Sequence, residues 1–106
     1  MRYTVILVPD AEGRISVLVP ALPGCFSAGD TQAEALDHVR DAISGWLDVE
    51  AAAGRQLPME TSAVVTAGVA QALAIIDDMR DAGELPPSHG YELEVTTVEI
   101  NPAVPV

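Results

Sequence analysis

The stretch Val19-Pro20-Ala21-Leu22-Pro23-Gly24-Cys25-Phe26-Ser27-Ala28-Gly29-Asp30-Thr31 decides the fold. It leaves an apolar strand, passes two turns and enters a long helix. Pro23-Gly24 suits the central pair of a type II turn, because proline presets the first φ and glycine accepts the positive second one. Gly29 permits a further bend at a point where a side chain would clash. Thr31 and Glu34 have the spacing of a capping box, in which hydroxyl and carboxylate each take an orphan amide of the first turn. Asp30 adds negative charge where the helix dipole is positive.

Working outward, Arg2 to Val8 and Arg14 to Val19 are rich in β-branched residues and flank Pro9-Asp10-Ala11-Glu12-Gly13, a loop with hairpin chemistry. In the first strand Tyr3, Val5 and Leu7 share one face, and Ile6 and Val8 share the other. In the second, Ile15, Val17 and Val19 oppose Leu18. Apolar residues on both faces predict a sheet covered on both sides, by a helix on one and by a second helix or another subunit on the other. Cys25 to Ala28 is a brief third strand.

The spacing of Leu36, Val39, Ile43, Trp46 and Leu47 predicts a helix from Gln32 to Ala53, with Gly54 in the left-handed position past its end. Gly45, costing up to ~1 kcal/mol inside a helix, predicts a close approach to a strand. A second helix is expected over Ser62 to Ala82. Val65, Val69, Ala72, Leu73, Ile76 and Met79 form its stripe, broadened by Val64, Ala67, Ala70, Ala74 and Ile75, as in a helix buried by more than one neighbour. Tyr91 to Ile100 reads as a returning strand whose apolar phase slips at Thr96-Thr97, through a bulge or a change of buried face. Pro102 and Pro105 make the tail a poor strand. The expected class is α+β: an antiparallel sheet with helices packed on it, in the order β-β-β-α-α-β, as one domain over residues 1–106.

With 106 residues and 49% hydrophobic content, the chain can bury a real core. Sixteen acidic side chains against five basic ones give a formal charge of -11. Such a chain is repelled by nucleic-acid phosphates and by anionic membranes, so a basic protein partner is favoured. One cysteine excludes an internal disulfide and suits a reducing compartment. No apolar run is read as long enough for a membrane span, and no signal peptide is recognised, so the expected location is the cytoplasm.

The residues Val19 to Cys25, with Gly29-Asp30-Thr31 and Glu34-Ala35-Leu36, resemble the signature of HicB-type antitoxins, the neutralising partners of small ribonuclease toxins. The resemblance covers residues 2 to 58, with 59–106 as an extra helix and strand. It implies a partial RNase H-like fold without the full carboxylate set of RNase H enzymes, hence a binding domain rather than an enzyme. Members of the family fold on a small basic HicA-type toxin that cleaves mRNA and block its catalytic histidine. Many also carry a DNA-binding module. Here only Arg80 is basic between Pro58 and the end, which points away from DNA.

The remaining chemistry reads as structural. Cys25 is a small buried apolar group, and His38 and His89 lack metal-ligand spacing with it or with each other. No cofactor or metal is implied. Asp10, Glu12 and Asp30 read as turn and cap residues first. The partner-facing surface is expected on the hairpin loop and the family motif, at Asp10, Glu12, Leu22, Pro23, Phe26 and Asp30. The alternative is a self-associating family member without a toxin, a homo-oligomer joined through the broad apolar second helix. A degenerate metal-dependent nuclease using Asp10 or Asp30 ranks last.

Overall fold

The fold begins with a strand that has no solvent face. In the computed structural model, which describes residues 1–86 and 90–100, all residues from Tyr3 to Val8 are buried. They belong to β1 (Arg2–Pro9), followed by β2 (Ile15–Leu18), β3 (Phe26–Gly29), α1 (Gln32–Ala52), α2 (Ser62–Asp81) and β4 (Glu94–Glu99). The sheet order is β3-β2-β1-β4, with every neighbouring pair antiparallel. The α+β class and the order of elements are as expected. The ends of strands differ: β2 is shorter than Arg14–Val19, and Tyr91 to Leu93 precede the last strand rather than forming part of it.

α1 covers one face. Ala35, Val39, Ile43 and Leu47 are its buried positions, and they meet Tyr3, Val5, Leu7, Val17 and Val98 in one cluster. Each fully buried Val or Ile contributes about 1.5–3 kcal/mol relative to exposure. The N-terminal cap forms with a shift. Thr31 Oγ1 accepts from the Glu34 amide at 3.1 Å, but the Glu34 carboxylate takes the amide of Asp30 rather than that of Thr31. Gly54, at φ +71, closes the other end, where the Arg55 amide donates back to the Glu50 carbonyl. Gly45 corrects an expectation: a Cβ there would meet nothing within 4 Å, because it lies on the exposed side of α1 and not against a strand.

α2 covers the other face, but incompletely. Gly68, Ala72 and Ile76 are its buried positions, and Ile6, Val8, Ala72, Ile76 and Leu85 form a second, smaller cluster. The helix lies against β1 and reaches β2 at half-buried Leu18, while Phe26 of β3 stays exposed. Contrary to the sequence reading, Ser62–Asp81 is long and apolar enough to cross a membrane, with a mean hydropathy of 1.3. Alanine raises that value, the sheet takes up its buried stripe, and Asp77, Asp78, Arg80 and Asp81 crowd its last turns. Only 17% of the apolar window is buried.

The phase slip in the last strand has a simple cause. β4 pairs with β1 without a bulge, from Arg2 opposite Glu99 to Leu7 opposite Glu94. Val98 and Ile100 serve the α1 core, whereas Leu93 packs in the α2 cluster and Val95 lies opposite Ile6. A strand between two covered faces needs no single alternation. Expectations for His89 and for the tail beyond Ile100 fall outside the described residues.

Beyond the end of β2, β1 would be left with unpaired backbone. Ile6 is opposite Leu18, so Thr4 has no β2 partner. Glu60 replaces the missing strand: its carboxylate accepts from the Thr4 amide at 2.6 Å and from the Thr4 hydroxyl at 2.8 Å. Tyr3 donates to the Pro58 carbonyl beside it, and burial, then the negative charge of Glu60, push its phenol up from its ordinary value. Replacing Glu60 with Ala leaves a buried amide unsatisfied and is expected to lower stability by about 1–3 kcal/mol in urea unfolding.

Two glycines are required by contact. A Cβ on Gly29 would stand 2.4 Å from the Ala35 amide nitrogen, and one on Gly68 would stand 2.5 Å from Pro20 Cγ. Gly29→Ala must therefore push α1 off β3, and Gly68→Ala must push α2 off Pro20. Each is expected to cost about 1–3 kcal/mol, measured by the same unfolding, with Gly29 the more severe because backbone cannot yield as a side chain can.

Candidate interaction site

The motif stretch is built as its residues dictate. The Cys25 amide donates to the Leu22 carbonyl at 3.0 Å, closing the turn, and Gly24 takes φ +78. Trp46 Nε1 donates to the Pro23 carbonyl at 3.1 Å, so α1 pins the turn from below. Leu22 is completely buried and Cys25 nearly so, both in the α1 core. Leu22 thus supports the turn from within and presents no surface to a partner. Pro23 and Phe26 are exposed, Phe26 by 68%.

At the other end of the hairpin, Asp10 is a structural acid. Its carboxylate accepts from the amides of Glu12 and Arg14, at 3.0 and 2.9 Å. Glu12 is exposed in the loop, and Asp30 faces Arg14 at 3.5 Å. Both partners of that pair are largely in solvent, so it contributes little stability.

Antiparallel register puts Leu18 beside Phe26 and Ser16 beside Ala28, all on the face that α1 does not cover. With Gln71 and Ile75 of α2 as the facing wall, these residues line a trough of about 580 Å³. A smaller hollow of about 150 Å³ shares Leu18, Phe26 and Gln71 and is closed by Pro20, Pro23 and Gly68. Of the residues expected to face a partner, the structure brings Phe26 and Pro23 to this surface, places Asp10, Glu12 and Asp30 around the hairpin end, and buries Leu22. Leu18, Gln71 and Ile75 were not foreseen. Their signal was present in Leu18, which breaks the pattern of Val17 and Val19, and in Ile75, which widens the stripe of α2.

Charge is distributed unevenly. The chain has five arginines and no lysine. Arg2, Arg14, Arg40 and Arg55 sit against Glu99, Asp30, Asp37 and Glu50, and Arg80 stacks over the Tyr91 ring at 4.7 Å. Arg55 holds the Glu50 carboxyl below its usual range. The remaining carboxylates dominate the surface. Among the described residues, no group of three or more His, Cys, Asp or Glu side chains is placed to hold a metal ion.

A family model described as HicB-like antitoxin of bacterial toxin-antitoxin system matches residues 3–83. The chain belongs to this family. The match runs past Pro58 to take in α2, further than the motif alone suggested. A UPF0150 protein of Thermoplasma acidophilum is 38% identical over 66 residues, 62% of this chain and 96% of that protein. A Synechocystis UPF0150 protein is 33% identical over 58 residues, 55% of this chain and 80% of its own length. The fold is similar to the N-terminal domain of the Burkholderia pseudomallei antitoxin HicB, with a TM-score of 0.61 at 20% identity, covering 95% of this chain and 99% of that one. It is also similar to a chain of the HicA3 and HicB3 toxin-antitoxin complex, with a TM-score of 0.58 at 24% identity, covering 96% and 100%. These two likenesses speak for the HicB antitoxin fold.

Burial pushes the Cys25 thiol up from its ordinary value. Since the thiolate is the reactive form, Cys25 is expected to react with a disulfide reagent at pH 8 at least about tenfold more slowly than a free thiol. Full reactivity should return in unfolding urea.

Proposed function

We propose that this protein is an antitoxin that binds and neutralises a small basic HicA-type ribonuclease toxin in the cytoplasm, without catalysis of its own. Membership of the antitoxin family over residues 3–83 carries the reading. The fold match to a chain of a toxin-antitoxin complex supports it, and so does the charge of -11. Complementary charge speeds encounter and selects against anionic partners, while apolar contacts supply residence time. The partner-facing residues of this reading are Asp10, Glu12, Pro23, Phe26 and Asp30, with Leu22 holding the turn beneath them.

Co-expression with a panel of HicA-type toxins tests it. Growth is expected to recover with at least one toxin, and the two chains are expected to co-purify. Full toxicity from every toxin with this chain in excess defeats the proposal. The association rate of the pair should fall roughly tenfold or more between about 0.05 and about 0.5 M salt.

A second reading, self-association, has one specific observation behind it. Ala63, Ala67, Ala70, Leu73 and Ala74 of α2 are exposed. Sedimentation of the isolated chain at micromolar concentration separates the two, since a monomer leaves that face without a homotypic role.

A further inference from the structure

We propose that the trough between β2–β3 and α2 is the seat for an apolar side chain of a cationic protein partner, with Phe26 as the anchor on this chain. The proposal rests on the toxin-binding reading and gives it a location. Phe26 is 68% exposed, yet it stands beside Leu18 and across from Ile75, both half-buried, in a hollow of about 580 Å³. An exposed aromatic side chain that a partner desolvates against an apolar wall is a frequent centre of binding energy at an interface. The hollow opens along β3, an edge strand, so a protruding side chain can enter from a broad partner surface.

Charge decides the occupant. Arg14, the cation near the Ser16 end, already faces Asp30. Asp78 is exposed and follows Gln71 and Ile75 on one face of α2, and Glu12 is exposed in the hairpin loop. The residues that line the trough are uncharged, and the charge a partner meets is that of the chain around them, with Asp78 one turn beyond Ile75 on α2. A second copy would bring another charge of -11 against it, and like charges facing across an interface oppose binding. A cationic surface with an apolar knob satisfies both features. α2 shapes the site: its contact with Pro20 at Gly68 lies at one end, and its lie along β1 covers β2 only at Leu18 and leaves Phe26 of β3 exposed.

The test uses the full chain and the HicA-type toxin that it neutralises on co-expression, with the catalytic histidine of the toxin replaced. Affinity is measured by calorimetry for the wild type, Phe26→Asp, Ile75→Asp and Phe26→Leu. Val49→Asp, at an exposed apolar position on α1, serves as a remote control. Phe26→Asp and Ile75→Asp are expected to bind roughly tenfold or more weakly, Phe26→Leu to retain most of the affinity, and Val49→Asp to match the wild type. Thermal melts check that the Phe26 variants, changed at an exposed position, keep the fold. Wild-type affinity for both aspartate variants overturns the trough and leaves toxin binding standing. A wild type that binds no toxin in the panel overturns both. A homodimer that Phe26→Asp dissociates, in a chain that binds no toxin, gives the surface to a second copy and overturns the cationic partner.

Discussion

β1 must be buried on both faces, and the rest of the molecule answers that requirement. Six consecutive residues, Tyr3 to Val8, have almost no contact with solvent. Such a strand is common in sheets sandwiched between helices and rare in antiparallel sheets with one wet face. It therefore demands two separate layers. α1 supplies the first with a long, capped helix whose stripe meets all four strands. α2 supplies the second with a helix that buries only three positions. The two layers are unequal because the two faces of the sheet are unequal. On the α1 side Tyr3, Val5, Leu7, Val17 and Val19 make a broad floor, whereas on the α2 side β2 offers Leu18 between Ser16 and a proline turn.

The same inequality links fold to surface. A helix covering the whole second face would have buried Phe26 and Leu18 and left no trough beside β3. Instead α2 is held over β1 by the Gly68–Pro20 approach, and by Leu85 beyond its C-terminal turn. The Glu60 clasp fixes where the helix begins, since it lies immediately before the Thr61 cap and is bonded to Thr4. The backbone requirement of β1 thus sets the starting point of α2, and that starting point sets the width of the trough.

Much of this was legible in the residues. Thr31 with Glu34, Pro23 with Gly24, and Gly54 after a sustained apolar stripe each specify a local geometry through short-range chemistry, and each forms, the cap with Glu34 reaching one residue further back to Asp30. Apolar residues on both sides of β1 announced two layers. Other features depend on contacts distant in sequence. The Glu60–Thr4 clasp spans 56 positions and has no local signature. Gly45 and Gly29 look alike in sequence, yet one lies on an open helix face and the other under a helix backbone. The apparent slip at Thr96-Thr97 was ambiguous because alternation records one buried face at a time, and β4 contributes to two. Of the residues expected at the surface, Phe26 is exposed and Leu22 is buried, since an apolar residue beside a turn can point either way and only the packing of α1 decides.

The family motif gains a physical meaning from this arrangement. Its prolines and glycines are accounted for by the turn, by the helix cap and by the approach of Ala35 to Gly29, so they specify the scaffold. Phe26 is different. It follows directly on the turn, alternation carries it to the face away from α1, and nothing in its own strand needs a large apolar side chain there. One exposed apolar side chain is ordinary on a protein surface, so Phe26 counts as the proposed anchor because it borders, with Leu18 and Ile75, a trough open to a partner. Its setting narrows what that can be. Every arginine of the chain is matched to a carboxylate or an aromatic ring, so the acidic surface has no internal cation to spare. On the proposed reading, Phe26 on a chain of charge -11 fits a partner that carries both an apolar projection and positive charge.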